Sequence, residues 1–164
     1  MSTEGSPVDE RRGQISARGL RVALIAARFN SEITDSLVRG ARHALLEHGA
    51  RDDDVTVIRV PGAWELPQTS AQAVVAQRFD AVVALGCVIR GETPHFEFVC
   101  EEASRGLGAV ARAADIPVVF GVLTTDNLEQ AQARAGEGKD NKGYEAAMAS
   151  LEMVTVLRQL RGKE

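Results

Sequence analysis

The stretch RGETPHF, residues 90–96, follows directly on the apolar run AVVALGCVI, residues 81–89. A buried strand ending there delivers the chain into a turn with Thr93 placed as a helix N-cap, Pro94 as the first helical residue and His95 in the first turn. A helix N-terminus presents unpaired N–H groups and partial positive charge, so it suits an anion. A histidine beside a bound phosphate can give and take protons near neutral pH. The same stretch also reads as an ordinary capped helix carrying a solvated histidine.

Other residues invite the same weighing. Phe29 stands between an apolar run and a helical pattern, and Trp64 lies just beyond a Pro-Gly turn, so both rings can project over a sheet edge and bracket a flat heterocycle. Each is equally a core or packing residue. Glu65 can bond the hydroxyls or ring nitrogens of such a ligand, or simply favour the first turn of a helix. Lys142 opens the last helical stretch, where a cation is disfavoured unless something negative is near, and Arg134 precedes the Gly-rich AGEGKDNKG. A guanidinium can hold a phosphate through paired hydrogen bonds, although both cations also fit solvated surface. His43 and His48 share neither metal-ligand spacing nor an acidic partner and read as surface residues. Cys87 and Cys100 form no CxxC pair, and no zinc-ligand spacing surrounds them, so reduced thiols are expected, with Cys87 a small buried hydrophobe. No GxSxG, Walker lysine loop, GxGxxG or EF-hand pattern occurs.

The elements that must position these residues alternate along the chain. RVALIAA, VTVIRV, AVVALG and PVVFGV are continuous apolar runs of strand length, as expected of strands covered on both faces. Between them lie helical patterns: residues 31–49, with Ile33, Leu37, Val38, Ala41, Leu45 and Leu46 on one face and Gly49 as a stop, then Trp64–Gln77, Phe96–Ala113, Leu128–Ala135 and about Asn141–Leu160. Right-handed βα crossovers predict a three-layer α/β/α sandwich around a four-stranded parallel sheet, doubly wound in the flavodoxin-like manner. Such sheets bind ligands beyond the carboxyl ends of their strands, which is where RFN, PGAWELP, RGETPHF and LTTDN fall.

The 164 residues fit one domain, taken as residues 20–164 behind a flexible tail of residues 1–19, in which Ile15 can help a short segment join a neighbour's sheet edge. A net charge of −4 and 4% aromatic residues argue against nucleic acid as a partner. No apolar stretch approaches a membrane span or the core of a signal peptide, so a cytoplasmic protein without membrane contact is expected.

Taken in order, ARFN, VPGAWELP, LGCVIRGETPHFEFV, FGVLTTDNLEQAQARAG and NKGYEAAMASLEM closely resemble the 6,7-dimethyl-8-ribityllumazine synthases, over about Leu20 to Leu160. The resemblance implies the penultimate step of riboflavin biosynthesis: condensation of 5-amino-6-(D-ribitylamino)uracil with 3,4-dihydroxy-2-butanone 4-phosphate, releasing phosphate and water, with no metal and no organic cofactor. Carried over by motif, it implies that Phe29, Asn30, Trp64, Phe120 and Lys142, the main chain around Ala63, Val88 and Ile89, and the Glu65 carboxylate receive the aminouracil and its ribityl chain. Gly91, Glu92, Thr93 and Arg134 would hold the phosphate, and His95, assisted by Lys142 and Arg134, would carry the chemistry. The resemblance further implies a homopentamer whose site lies between subunits, with Phe120, Arg134 and Lys142 facing the neighbour's Phe29, Trp64 and His95. It also raises a 60-subunit icosahedral shell and association with riboflavin synthase. GEGKDNKG has the short length of shell-forming members but departs from their usual residues at Glu137, Gly138 and Asp140, and Glu92 adds a negative charge to the phosphate turn.

Other functions remain open on the sequence. A paralogue with another condensation partner would alter the aromatic positions. A flavin- or lumazine-binding module without turnover needs the two rings but not His95, Arg134 and Lys142. A signalling receiver domain needs an acidic cluster at its strand ends, where this chain has Phe29, Pro61 and Gly86.

Overall fold

The computed structural model describes residues 8–163. Among these, the apolar runs form strands β1 (Val22–Ala27), β2 (Val55–Val60), β3 (Ala81–Ile89) and β4 (Val118–Thr125) in one parallel sheet of order β2-β1-β3-β4. The helices are α1 (Ser31–Glu47), α2 (Leu66–Val75), α3 (His95–Ala113), α4 (Leu128–Arg134) and α5 (Lys142–Leu160). Successive side chains of a strand point to opposite faces. Leu24, Val83 and Leu85 therefore pack with Leu37, Leu45 and Leu151 of α1 and α5, while Ile25, Val82 and Ala84 pack with Leu66, Ala103 and Leu107 of α2 and α3. This is the expected α/β/α sandwich, with β1 and β3 covered on both faces. Complete burial of Leu24 or Leu85 contributes roughly 1.5–3 kcal/mol each.

The edge strands differ from the centre. β2 exposes Thr56, Val57 and Arg59, and β4 exposes Phe120 and Thr124, because no further strand flanks them among the described residues. β1 lies between β2 and β3, so the chain goes out to β2 and returns across β1, creating a switch point at the carboxyl ends of β1 and β3.

Local chemistry shifts some expected boundaries. α2 begins at Leu66, not Trp64, because Ala63–Glu65 form a 3₁₀ turn in which the Glu65 carboxylate accepts the Gly62 N–H at 2.9 Å. Its expected end at Gln77 fails too, since Gln77 has a left-handed φ of 54°. Leu46 is 36% exposed rather than inward, and Ala44 and Leu45 complete the buried face of α1. Gly49 does end that helix, at φ 101°. α5 crosses α1 so closely that a Cβ on Gly143 would lie 2.0 Å from the Leu37 carbonyl oxygen, which fixes the start of α5 against α1.

Of the N-terminal residues expected to form a tail, 1–7 lie outside the described residues. Residues 8–16 carry no helix or strand but run past α5, where the Gln14 N–H donates to Thr155 Oγ1 at 2.7 Å and Gln159 Nε2 donates to the Arg12 carbonyl at 3.1 Å. Ala17 is fully buried, its N–H bonded to the His48 carbonyl. No helix among the described residues is long and apolar enough to cross a membrane.

Candidate active site

Three strand ends are laced together. Beyond β1, the Arg28 and Phe29 N–H groups donate to the carbonyls of Val60 and Pro61, at 2.8 and 3.1 Å. Asn30 then turns left-handed, φ 58°, and its Nδ2 donates to the Cys87 carbonyl of β3 at 2.8 Å. Asn tolerates this conformation better than most residues. The outcome is that Phe29 is held over the carboxyl end of the sheet and left 71% exposed, which excludes a core role for it. Trp64, 56% exposed on its 3₁₀ turn, is likewise no core residue.

Both rings line an open cleft of about 570 Å³, together with Ala63, Glu65, Val88, Ile89, Gly91, Thr93 and His95. The turn that closes it is sparsely bonded. α3 starts at His95, with Pro94 rather than Thr93 at the N-cap, and Thr93 Oγ1 reaches the His95 N–H only at 3.5 Å. Among the described residues, no hydrogen bond occupies the N–H groups of Gly91, Glu92 or Thr93. Aromatic faces, free amide donors and an exposed imidazole thus share one concavity at the switch point. Such a site can stack a flat ring, accept an anion and move protons.

A second groove of about 410 Å³ runs along the free edge of β4 and is lined by Phe120, Arg134 and Lys142, among others. Asn141, just ahead of Lys142, anchors the helix that carries it. This buried side chain accepts from the Gly143 and Tyr144 N–H groups, at 2.8 and 3.1 Å, and donates to the carbonyls of Ser36 and Gly136, at 3.1 and 2.8 Å. It therefore caps α5 and ties its first residue, Lys142, to α1. Arg134 ends α4, with Nη1 donating to the Gln130 carbonyl at 3.0 Å.

The sequence profile of 6,7-dimethyl-8-ribityllumazine synthase matches residues 19–158. The chain belongs to this family. A lumazine synthase of Chlorobaculum tepidum is 48% identical over 153 residues, covering 93% of this chain and 99% of its own. That of Chlorobium phaeobacteroides is 50% identical over 152 residues, covering 93% and 98%, and that of Clostridium kluyveri 47% over 148 residues, covering 90% and 96%.

The family motifs divide between the two concavities. Phe29, Ala63, Trp64, Glu65, Val88, Ile89, Gly91, Thr93 and His95 come together in the cleft, whereas Phe120, Arg134 and Lys142 line the β4 groove. Asn30 and Glu92 line neither; the Asn30 amide is committed to Cys87, and Glu92 is exposed. Glu65 both lines the cleft and closes its own turn through Gly62.

One inference from the helix dipole requires correction. Lys142 does not need an external anion, because Nζ reaches both carboxylate oxygens of Glu145, at 3.0 and 2.8 Å, in the same turn. Cys87 lines the cleft, but burial pushes its thiol up to about 11, so it stays a neutral thiol at physiological pH. Phe96 and Val99 also wall the cleft and went unnoticed in the sequence. The spacing held the signal for Val99, since a residue four beyond His95 shares its helix face. Among the described residues, no cluster of His, Cys, Asp or Glu is arranged to hold a metal ion.

Proposed function

We propose that the protein condenses 5-amino-6-(D-ribitylamino)uracil with 3,4-dihydroxy-2-butanone 4-phosphate to give 6,7-dimethyl-8-ribityllumazine, phosphate and water, the penultimate step of riboflavin biosynthesis. The observation that carries this reading is the meeting of two exposed rings, the free backbone N–H groups of Gly91 and Thr93, and His95 in one cleft of a lumazine synthase family member.

In this reading the pyrimidine lies against Phe29 and Trp64, with its polar edge on the main chain near Ala63, Val88 and Ile89. The second oxygen of the Glu65 carboxylate, which makes no bond to Gly62, receives ribityl hydroxyls. The butanone phosphate sits on the N–H groups of residues 91–93, and His95 beside it moves protons. The 5-amino group attacks the ketone and loses water to form an imine. Removal of the proton on the hydroxyl-bearing carbon then expels phosphate from its neighbour. The resulting enol tautomerises to a ketone with a new methyl group, and the ribityl-bearing nitrogen closes the ring on that new carbonyl with loss of a second water. Holding amine and ketone in reacting geometry supplies most of the acceleration, and no cofactor is required.

The reading extends to assembly. Arg134, Lys142 and Phe120 belong to the same reaction but line a different groove, so we assign them to the site of an adjacent copy in a homopentamer. The short segment between α4 and α5 suits stacking of pentamers into a 60-subunit shell, with riboflavin synthase as an associated partner, and the location is cytoplasmic.

Purified protein mixed with the two substrates tests the activity, with lumazine fluorescence and free phosphate followed together. Matched appearance of both above the uncatalysed rate is expected. Binding of the aminouracil without turnover would instead identify a ligand-binding module.

A further inference from the structure

Arg90 stands one residue ahead of the free N–H groups of the 91–93 turn, and it does not line the cleft. Nε donates to Asp126 Oδ1 at 3.0 Å, Nη1 pairs with Glu97 Oε1, and the guanidinium lies over the Phe96 ring, 4.4 Å from its centroid. Its backbone N–H donates to the Thr125 carbonyl at 2.8 Å. One side chain thereby joins the end of β3, the first turn of α3 and the residue after β4. The turn itself has little else to hold it, since Pro94 has no N–H and the Thr93 contact to His95 is 3.5 Å long.

We propose that Arg90 is the positioning residue of the phosphate turn, fixing residues 91–95 and the Phe96 wall of the cleft by bridging Glu97 and Asp126 while stacking on Phe96. This rests on the functional reading above. The bridge satisfies the guanidinium with two carboxylates, which hold Arg90 in its charged form, Asp126 first and Glu97 second, and in turn Arg90 draws Glu97 below the usual carboxylate range. A satisfied guanidinium of this kind orients the turn rather than binding the ligand. The reach continues on the far side: the Asp126 N–H donates to Gln130 Oε1 at 2.8 Å, and the Gln130 carbonyl receives Arg134. Only a planar fork that also stacks can make all these contacts, so lysine is a poor substitute. Exposed ion pairs add little to stability. A positioning role therefore predicts a defect in phosphate recognition much larger than the defect in folding.

The test compares wild type with Arg90→Ala, Arg90→Lys and Asp126→Asn, measuring kcat, the KM of each substrate, inhibition by inorganic phosphate, and Tm. Arg90→Ala is expected to raise the KM of the butanone phosphate and the phosphate inhibition constant by about ten-fold, within the range that small misplacements of a binding group cost. The aminouracil KM should change less than about two-fold, Arg90→Lys should restore little, and Asp126→Asn, outside the cleft, should give a weaker version of the same split. Unchanged phosphate recognition in Arg90→Ala would overturn the proposal. So would a parallel rise of both KM values with a fall in Tm, which marks a merely structural residue. A wild type without turnover would remove the functional reading and this inference together.

Discussion

The cleft at the carboxyl ends of β1, β2 and β3 and the groove along the edge of β4 are built from opposite materials. The cleft gathers Phe29, Trp64, His95 and unbonded N–H groups, with no lysine or arginine lining it. The groove supplies Arg134 and Lys142 with a single aromatic ring, Phe120. The cleft is thus suited to a flat ring, to proton transfer and to hydrogen bonding with an anion, while the groove adds the cationic Arg134 beside a Lys142 already paired with Glu145. A phosphorylated substrate reacting with an aminouracil needs both. In the proposed reading, these two halves on different parts of one chain are completed by a second copy.

The comparison can be broken most sharply at His95. His95→Ala should lower kcat by about 10²- to 10⁴-fold, the usual worth of general acid–base assistance, while leaving measurable turnover because positioning remains. Steady-state kinetics with both substrates checks it, and a folded, substrate-binding variant with no activity at all would show that His95 does more than move protons. Next comes Arg134→Ala. Hydrogen bonds to charged groups are worth about 1.5–3 kcal/mol, so the KM of the butanone phosphate should rise roughly 10- to 150-fold. An unaltered value would detach the groove from the phosphate. Phe29→Ala should have a smaller effect, about 2- to 12-fold on the aminouracil KM, from the loss of roughly 0.5–1.5 kcal/mol of ring stacking.

The smallest effect concerns the scaffold behind the groove. The Tyr144 hydroxyl donates to Glu47 Oε2 at 2.7 Å, which lowers the Glu47 carboxyl below its ordinary value. A lowered carboxylate stabilises the fold above its unfolded pKa, and that contribution disappears as pH falls through the folded value. Tyr144→Phe should therefore lose a little stability at neutral pH and converge with wild type in acid. Denaturant unfolding across pH 3–7 measures this, and a constant gap between the two proteins would contradict it.

How much of this was legible in the sequence followed the distance between partners. The continuous apolar runs marked β1 and β3 because both faces are covered, and the turn RGETPHF carried its chemistry in consecutive residues. The 3₁₀ turn at Ala63–Glu65 escaped because a helical pattern does not reveal that Glu65 bonds back to Gly62. Arg90 and Asn141 escaped for a stronger reason. Besides nearby partners, each bonds one that lies 36 or 105 positions away, Asp126 for Arg90 and Ser36 for Asn141, and only the fold brings those together. Lys142 misled because Glu145, three residues on, supplies the negative charge that the helix dipole argument sought in a ligand.

The most direct measurement mixes His95→Ala with Arg134→Ala, one variant damaged in the cleft and the other in the groove, after the subunits have been dissociated and allowed to reassemble. A site shared between copies predicts that the mixture regains lumazine formation well above the mean of its two parents, because some interfaces pair an intact cleft with an intact groove. Mixed oligomers demonstrated by native mass spectrometry, with activity still at the parental mean, would contradict it.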